Sequence, residues 1–275
     1  MLVADAHVHV HACYPEHGFF DDAWGHLARE ARRRGAAEFD GVLCLTETAG
    51  DDWFGRFARL AADGGRYGGW RLEPTGEAEA LRARCDDGGA RALYLVAGRQ
   101  VAAREDLEVL AVGTCERFPD GRPIREALAW ARRTGALPIV PWGPGKWLFS
   151  RAALLRALIE ESRGAELYLG DESSRPWFWP MPRPFADAAA HGIRNLPGTD
   201  PLPFPHERGR AGAYGFSADA ALDPERPASS LKRLVRDPGV ALRPFGARAG
   251  LLGFVRNQVA MQRRKRLRAA APAAG

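Results

Sequence analysis

The chain has 275 residues, 46% of them hydrophobic and 27% charged, enough to bury one large core or two small ones. Its net charge of +5 is local: residues 256–268 hold six basic side chains and no acidic one, and without them 33 basic residues face 34 acidic ones. No apolar run approaches a membrane span, no aromatic residue interleaves the basic segment, and no charged-then-apolar leader precedes the first strand, so the expectation is a cytoplasmic protein with neither membrane nor nucleic acid as partner.

The four cysteines (Cys13, Cys44, Cys85, Cys115) form no C-x-x-C pair and read as reduced thiols. Basic residues are almost all arginine, and alanine is abundant, which fits codon bias in a GC-rich bacterium.

Residues 2–10 read as a strand. Alternation places Asp5, His7, His9 and His11 on one face and Ala4, Ala6, Val8 and Val10 on the other. Asp21 or Asp22 can cap a helix running to Gly35. The run "GVLCLTE" (41–47) reads as a strand covered on both faces, and 51–63 as a helix opened by Asp51 and Asp52. The stretch "EAEALRARC" (77–85) reads as a short helix, and 91–101 and 105–113 as neighbouring strands joined by a short turn.

Next come a helix over 122–135, a strand over 136–140 and a helix over 151–163 capped by Ser150. A strand over 165–170, a helix over 184–191 and a strand over 192–200 follow. Residues 205–248 are rich in Gly and Pro, with one short strand near 211–216 and one helix near 228–236. The last helix is expected over 249–268, and residues beyond about 268 are expected to be exposed or disordered. The division is thus a β/α unit over 1–248 and a basic C-terminal helix and tail over 249–275.

Repeated β-α units with apolar strands imply parallel strands with helices outside, and a site at the carboxyl ends of the strands. Polar residues recur at those ends: His7 and His9, Thr46-Glu47-Thr48, Arg99-Gln100, Pro141-Trp142-Gly143, Asp171-Glu172 and Thr199-Asp200. Two histidines on one strand face can converge on one ion, and a carboxylate such as Asp200 or Glu47 can complete three ligands and leave a place for water. Asp5, on the same face, can orient a ligand.

Lys146, on the Gly-Pro loop "GPGKW", can meet a substrate phosphate. His206, Arg208 and Arg210 can supply a further ligand and an anion clamp, with Arg208 reading as loop. The aromatic, proline-rich "RPWFWPMPRP" (175–184) reads as a loop packed over the barrel rim. His17, His26 and His191 receive no role.

The openings "DAHVHVH" and "GVLCLTET" resemble the polymerase and histidinol phosphatase (PHP) superfamily of metal-dependent phosphoesterases, whose first strand carries H-x-H and whose second ends in T-D-H. The segments "AGRQV", "IVPWGPGK", "AELYLGD" and "LPGTD" follow in the family's order over about residues 1–215. The resemblance implies an α/β fold, a distorted (β/α)7 TIM-like barrel, and phosphoester hydrolysis at two or three metal ions.

The chain departs from that pattern. Thr46-Glu47-Thr48 stands for T-D-H, Gln100 for a bridging glutamate, Pro141 and Trp142 for a histidine strand end, and Leu202 for the last histidine. His7, His9 and Asp200 carry over with identity and Glu47 with charge, a set sized for one divalent ion (Zn, Mn or Fe).

The expectation is therefore a reduced, single-metal phosphoesterase using a metal-activated water. The ligands are His7, His9, Glu47 and Asp200; Glu47, Asp200 and Lys146 are the catalytic set; Lys146, Arg210 and Gln100 hold a small phosphoester or other anionic substrate. The alternative is an inactive PHP-like barrel, without a metal, that binds a ligand or a partner protein.

Overall fold

Alternation of apolar and polar residues from Leu2 onward gives β1 (Leu2–Val8), the first of eleven strands in the computed structural model, which describes residues 1–87, 90–162 and 166–270, and of 264–270 the backbone alone. The chain continues through α1 (Phe19–Arg33), β2 (Asp40–Glu47), α2 (Trp53–Ala62), β3 (Arg66–Tyr67), β4 (Trp70–Pro74), β5 (Ala80–Cys85) and β6 (Ala92–Ala102). It then forms β7 (Glu108–Val112), α3 (Ile124–Arg133), β8 (Leu137–Pro141), α4 (Ser150–Glu161), β9 (Tyr168–Gly170) and α5 (Arg183–Ala190). A 3₁₀ turn (Pro205–Arg210), β10 (Tyr214–Ala218), α6 (Pro227–Arg236), β11 (Arg243–Gly246) and α7 (Leu251–Ala270) complete it. Among the described residues no helix is long and apolar enough to cross a membrane. Of the tail expected beyond about 268, residues 269 and 270 continue α7, and 271–275 lie outside the described residues.

The sheet corrects the expectation of a closed barrel of parallel strands. It is open and mixed, running β11-β10-β1-β2-β6-β5-β4-β3, with β7, β8 and β9 branching from β6. Among the described strands, β1–β2, β2–β6 and β8–β9 pair in parallel and the other pairs are antiparallel. A tight turn through Asp106, at φ 58°, joins β6 to β7, and a turn that short can only make an antiparallel pair.

The segment 192–200, expected as a strand, makes only isolated bridges, Leu169 to Asn195 and Glu172 to Gly198. Pro197 has no N–H to give a ladder. Single bonds tie the segment to β1 instead: Ala6 N–H to Pro197 O at 3.2 Å and Asp200 N–H to His7 O at 2.8 Å. Gly198 permits this approach, since a Cβ there would stand 2.4 Å from His7 N.

Residues 80–85, expected as helix, pair with β6 from Ala80–Val96 to Arg84–Ala92. Their helix-forming composition yields to tertiary pairing. Asp21 and Asp22 lie in the first turn of α1, and Gly18 occupies the cap position at φ 88°.

Strand parity sorts the core. Leu2, Ala4 and Ala6 pack with Val42, Cys44, Tyr94, Val96, Leu110, Ile139 and Tyr168 in an inner cluster, joined by Leu231 of α6. Val3, Leu43, Leu45, Leu93 and Leu95 pack outward with α1 and α2. Val8 and Val10 also join the outer cluster, although they share parity with Ala4 and Ala6. The β1–β2 register shifts between Asp5 and Val8, and that irregularity flips the faces.

Candidate metal centre

The flip places His7 and His9 against the sheet interior and separates them from Asp5, which is a correction to the single polar face expected for all three. Asp5 is fully buried and accepts from Thr199 N–H at 2.9 Å, Thr199 Oγ1 at 2.5 Å, Gly212 N–H at 2.8 Å and His7 N–H at 3.2 Å. It pins the 199 and 212 segments to β1. Burial raises its pKa to about 6 against the pull of these four donors.

His7 Nε2 and His9 Nε2 are 3.0 Å apart, and Asp200 Oδ1 is 3.5 Å from each. Gln100 Oε1 stands 3.0 Å from His7 Nε2 and 2.9 Å from His9 Nε2. Donors bound to one ion at about 2.0–2.1 Å stand roughly 3–3.5 Å from one another, so the donor set fits a single small cation. His7, His9 and Asp200 form the candidate metal-holding group among the described residues. Asp200 carries its carboxylate on a left-handed backbone, φ 47°, immediately before Pro201, a conformation that the surrounding hydrogen bonds must hold in place.

The electrostatics express the same crowding. Burial opposes a charged His7, but Asp200 and Glu172 outweigh it and raise its pKa to about 9. Burial and the neighbouring His7 lower His9 to about 4. Burial and the nearby Asp200 charge raise Glu172 to about 8. Asp200 goes the other way: burial opposes its ionisation, but His7, His9 and Lys146 hold its pKa low.

A cavity of about 740 Å³ opens on this group, lined by His9, His11, Gln100, Glu108, Lys146 and Asp200, with Met261 of α7 at its edge. The Lys146 ammonium pairs with Glu108. Burial disfavours the ammonium, yet Glu108, Glu172 and Asp200 together raise its pKa.

The structure therefore brings together His7, His9, Gln100, Lys146 and Asp200. It does not bring Glu47. That side chain shares parity with Leu43 and Leu45 and faces the helix layer, where Oε2 accepts from Arg99 at 2.7 Å and Oε1 from Phe54 N–H at the start of α2. Arg210 is directed elsewhere as well, donating to Ser173 Oγ at 2.8 Å with Glu207 at 3.9 Å. Asp171 is held by Arg175 through two bonds of 2.7 Å and by Tyr214 OH at 2.7 Å.

Two further residues complete the group: Glu172, which the sequence marks only as a polar strand end, and Glu108, which it does not mark. Glu172 Oε1 lies 3.2 Å from His7 Nδ1, and Glu108 holds Lys146. Parity was the available signal: Glu172 is in phase with the inward Tyr168, and Glu108 with the inward Leu110 and Val112.

No family model matches the chain, and no curated protein matches it. Among solved structures it is similar to PsfC from Pseudomonas syringae PB-5123, at 14% identity over 96% of this chain and 98% of that one, with a TM-score of 0.52. This is a likeness of fold. A two-domain protein from Bacteroides vulgatus, described as containing a predicted PHP-like metal-dependent phosphoesterase, also aligns. There the identity is 14% over 90% of this chain and 64% of that one, with a TM-score of 0.41.

Proposed function

We propose that the chain is a metal-dependent hydrolase acting on a small phosphoester or a related anion. The observation that supports this most is the meeting of His7 Nε2, His9 Nε2 and Asp200 Oδ1 at 3.0–3.5 Å beside a cavity that also holds Lys146. These three residues would hold one divalent ion, with the Gln100 carbonyl as a neutral fourth donor. A bound ion of this kind polarises an oxygen and makes hydroxide available near neutral pH.

The chain's own groups do the rest. The Glu172 carboxylate, 3.2 Å from His7 Nδ1, favours a proton on Nδ1 and so leaves Nε2 for the ion site. Lys146 offers an ammonium to the substrate anion, and Glu108 restrains it. The H-x-H strand and the later "LPGTD" supply these ligands in the order seen in PHP phosphoesterases.

A second reading is a binding module without turnover. It is favoured by the neutrality of Gln100 and by the engagement of Glu47 with Arg99, which leave Asp200 as the one carboxylate among the candidate ligands. The experiment that separates the two is hydrolysis of a panel of phosphomono- and phosphodiesters with added Zn²⁺ or Mn²⁺. Metal-dependent turnover that disappears in His9→Ala supports the hydrolase. Metal binding with no turnover of any panel member favours the module.

A further inference from the structure

The loop over 143–147 that brings Lys146 to the metal cavity also walls a second cavity of about 740 Å³ on its other side, through Gly143, Gly145 and Trp147. Three indoles line this second space. Trp142 and Trp147 are 4% and 6% exposed, and Trp179, from the proline-rich loop, is 39% exposed. The Trp142 and Trp179 rings meet edge to face, with centroids 6.2 Å apart at 73°, which makes an angled aromatic corner.

Its polar groups are mostly donors. Arg156 of α4 and Arg183 of α5 line the cavity, both exposed, and neither makes an ion pair or a side-chain hydrogen bond with a described residue. Trp147 is nearly fully buried, and its Nε1–H has no acceptor among the described residues. Among the described residues Asp187 is the one acidic group lining the space, and its carboxylate pairs with neither arginine. Other arginines beside carboxylates are paired with them, as Arg125 is with Glu161 and Arg236 with Glu166. Here two guanidiniums stand without partners around aromatic walls.

We propose that this cavity binds a small aromatic anion, a planar ring carrying a carboxylate, sulfonate or phosphate. The ring lies in the corner of Trp142 and Trp179, and the anionic group is held by Arg156 and Arg183, whose planar forks suit such oxygens. Apolar walls with a few convergent polar groups are the usual make-up of a small-molecule site. The proposal does not depend on the metal centre, whose donors face the other cavity.

The test is calorimetric titration of the full chain with 1-naphthalenesulfonate, which has ring and charge but no phosphoester to hydrolyse. Saturable one-to-one binding is expected. 1-Naphthalenemethanol, without the charge, and methanesulfonate, without the ring, should each bind at least tenfold more weakly. The double variant Arg156→Ala/Arg183→Ala should lose at least tenfold in affinity with an unchanged melting temperature, since both side chains are exposed. Trp179→Leu should lose affinity as well, and His9→Ala, which alters only the metal cavity, should bind the probe as the native chain does. No saturable binding at millimolar probe overturns the proposal. So does binding that survives the double arginine variant, or binding that is lost in His9→Ala.

Discussion

Glu172 Oε1 lies 3.2 Å from His7 Nδ1, while its neighbour Asp171 turns the opposite way into Arg175 and Tyr214. Adjacent carboxylates on one strand end thus serve different purposes, one at the candidate site and one in the core.

Their substitutions should separate cleanly. Glu172→Gln keeps the shape but removes the charge that orients His7, and metal affinity should fall about 10–100-fold, as for other outer carboxylates of ligating histidines. Asp171→Asn breaks an ion pair in which both side chains are at most 1% exposed. It should cost about 3–5 kcal/mol of stability and leave metal affinity nearly unchanged. Paired calorimetric and thermal-melt measurements on both variants check this; equal effects on both readouts would contradict it.

Metal uptake should depend on pH with a defined sign. His7 keeps a proton up to about pH 9 in the ion-free chain, and an ion takes Nε2 only once that proton leaves. Apparent affinity should therefore rise between pH 7 and 9, about tenfold per unit for one released proton, and flatten above. The raised pKa also stabilises the ion-free fold below about 6.5, a contribution lost as pH climbs through about 9. An affinity that is flat between pH 7 and 8 counts against a protonated His7.

Much of this site was legible as strand parity, and parity alone was not sufficient. Along 167–172, through β9, the outward Leu167 and Leu169 put Asp171 in the outward phase and Glu172 in the inward one. On β2 the outward Leu43 and Leu45 do the same for Glu47. Both strands are apolar on both faces, so the sequence shows the alternation without showing which phase looks into the sheet. On β1 even the alternation fails, because the register shift after Asp5 exchanges the faces and no glycine or proline marks it. His7, His9 and Asp200 were found because their residue types are rare in such places, whatever the phase.

The contact between the 192–200 segment and β1 gives a further prediction. Gly198→Ala places a methyl group 2.4 Å from His7 N, where backbone must move. Displacing the segment should cost about 1–3 kcal/mol and shift Asp200 from both histidines, weakening metal binding in the same variant. A Gly198→Ala chain with native melting temperature and native metal affinity would show that the segment is looser than its hydrogen bonds imply.

Lys146 offers a test of substrate binding apart from metal binding. Lys146→Ala should raise KM about tenfold or more through loss of one charge-assisted contact, and the ion content should stay as in the native chain, since an ammonium is no ligand. Loss of bound metal in this variant would mean that the Glu108–Lys146 pair shapes the ion site itself.

The most direct measurement is titration of the metal-free chain, purified without an affinity tag, with Zn²⁺ and Mn²⁺, followed by elemental analysis of the loaded protein. The arrangement of His7, His9 and Asp200 predicts one divalent ion per chain, with binding abolished in His9→Ala although that variant remains folded. No binding of either ion at millimolar concentration, or equal binding by the native chain and His9→Ala, would contradict a metal centre at this site.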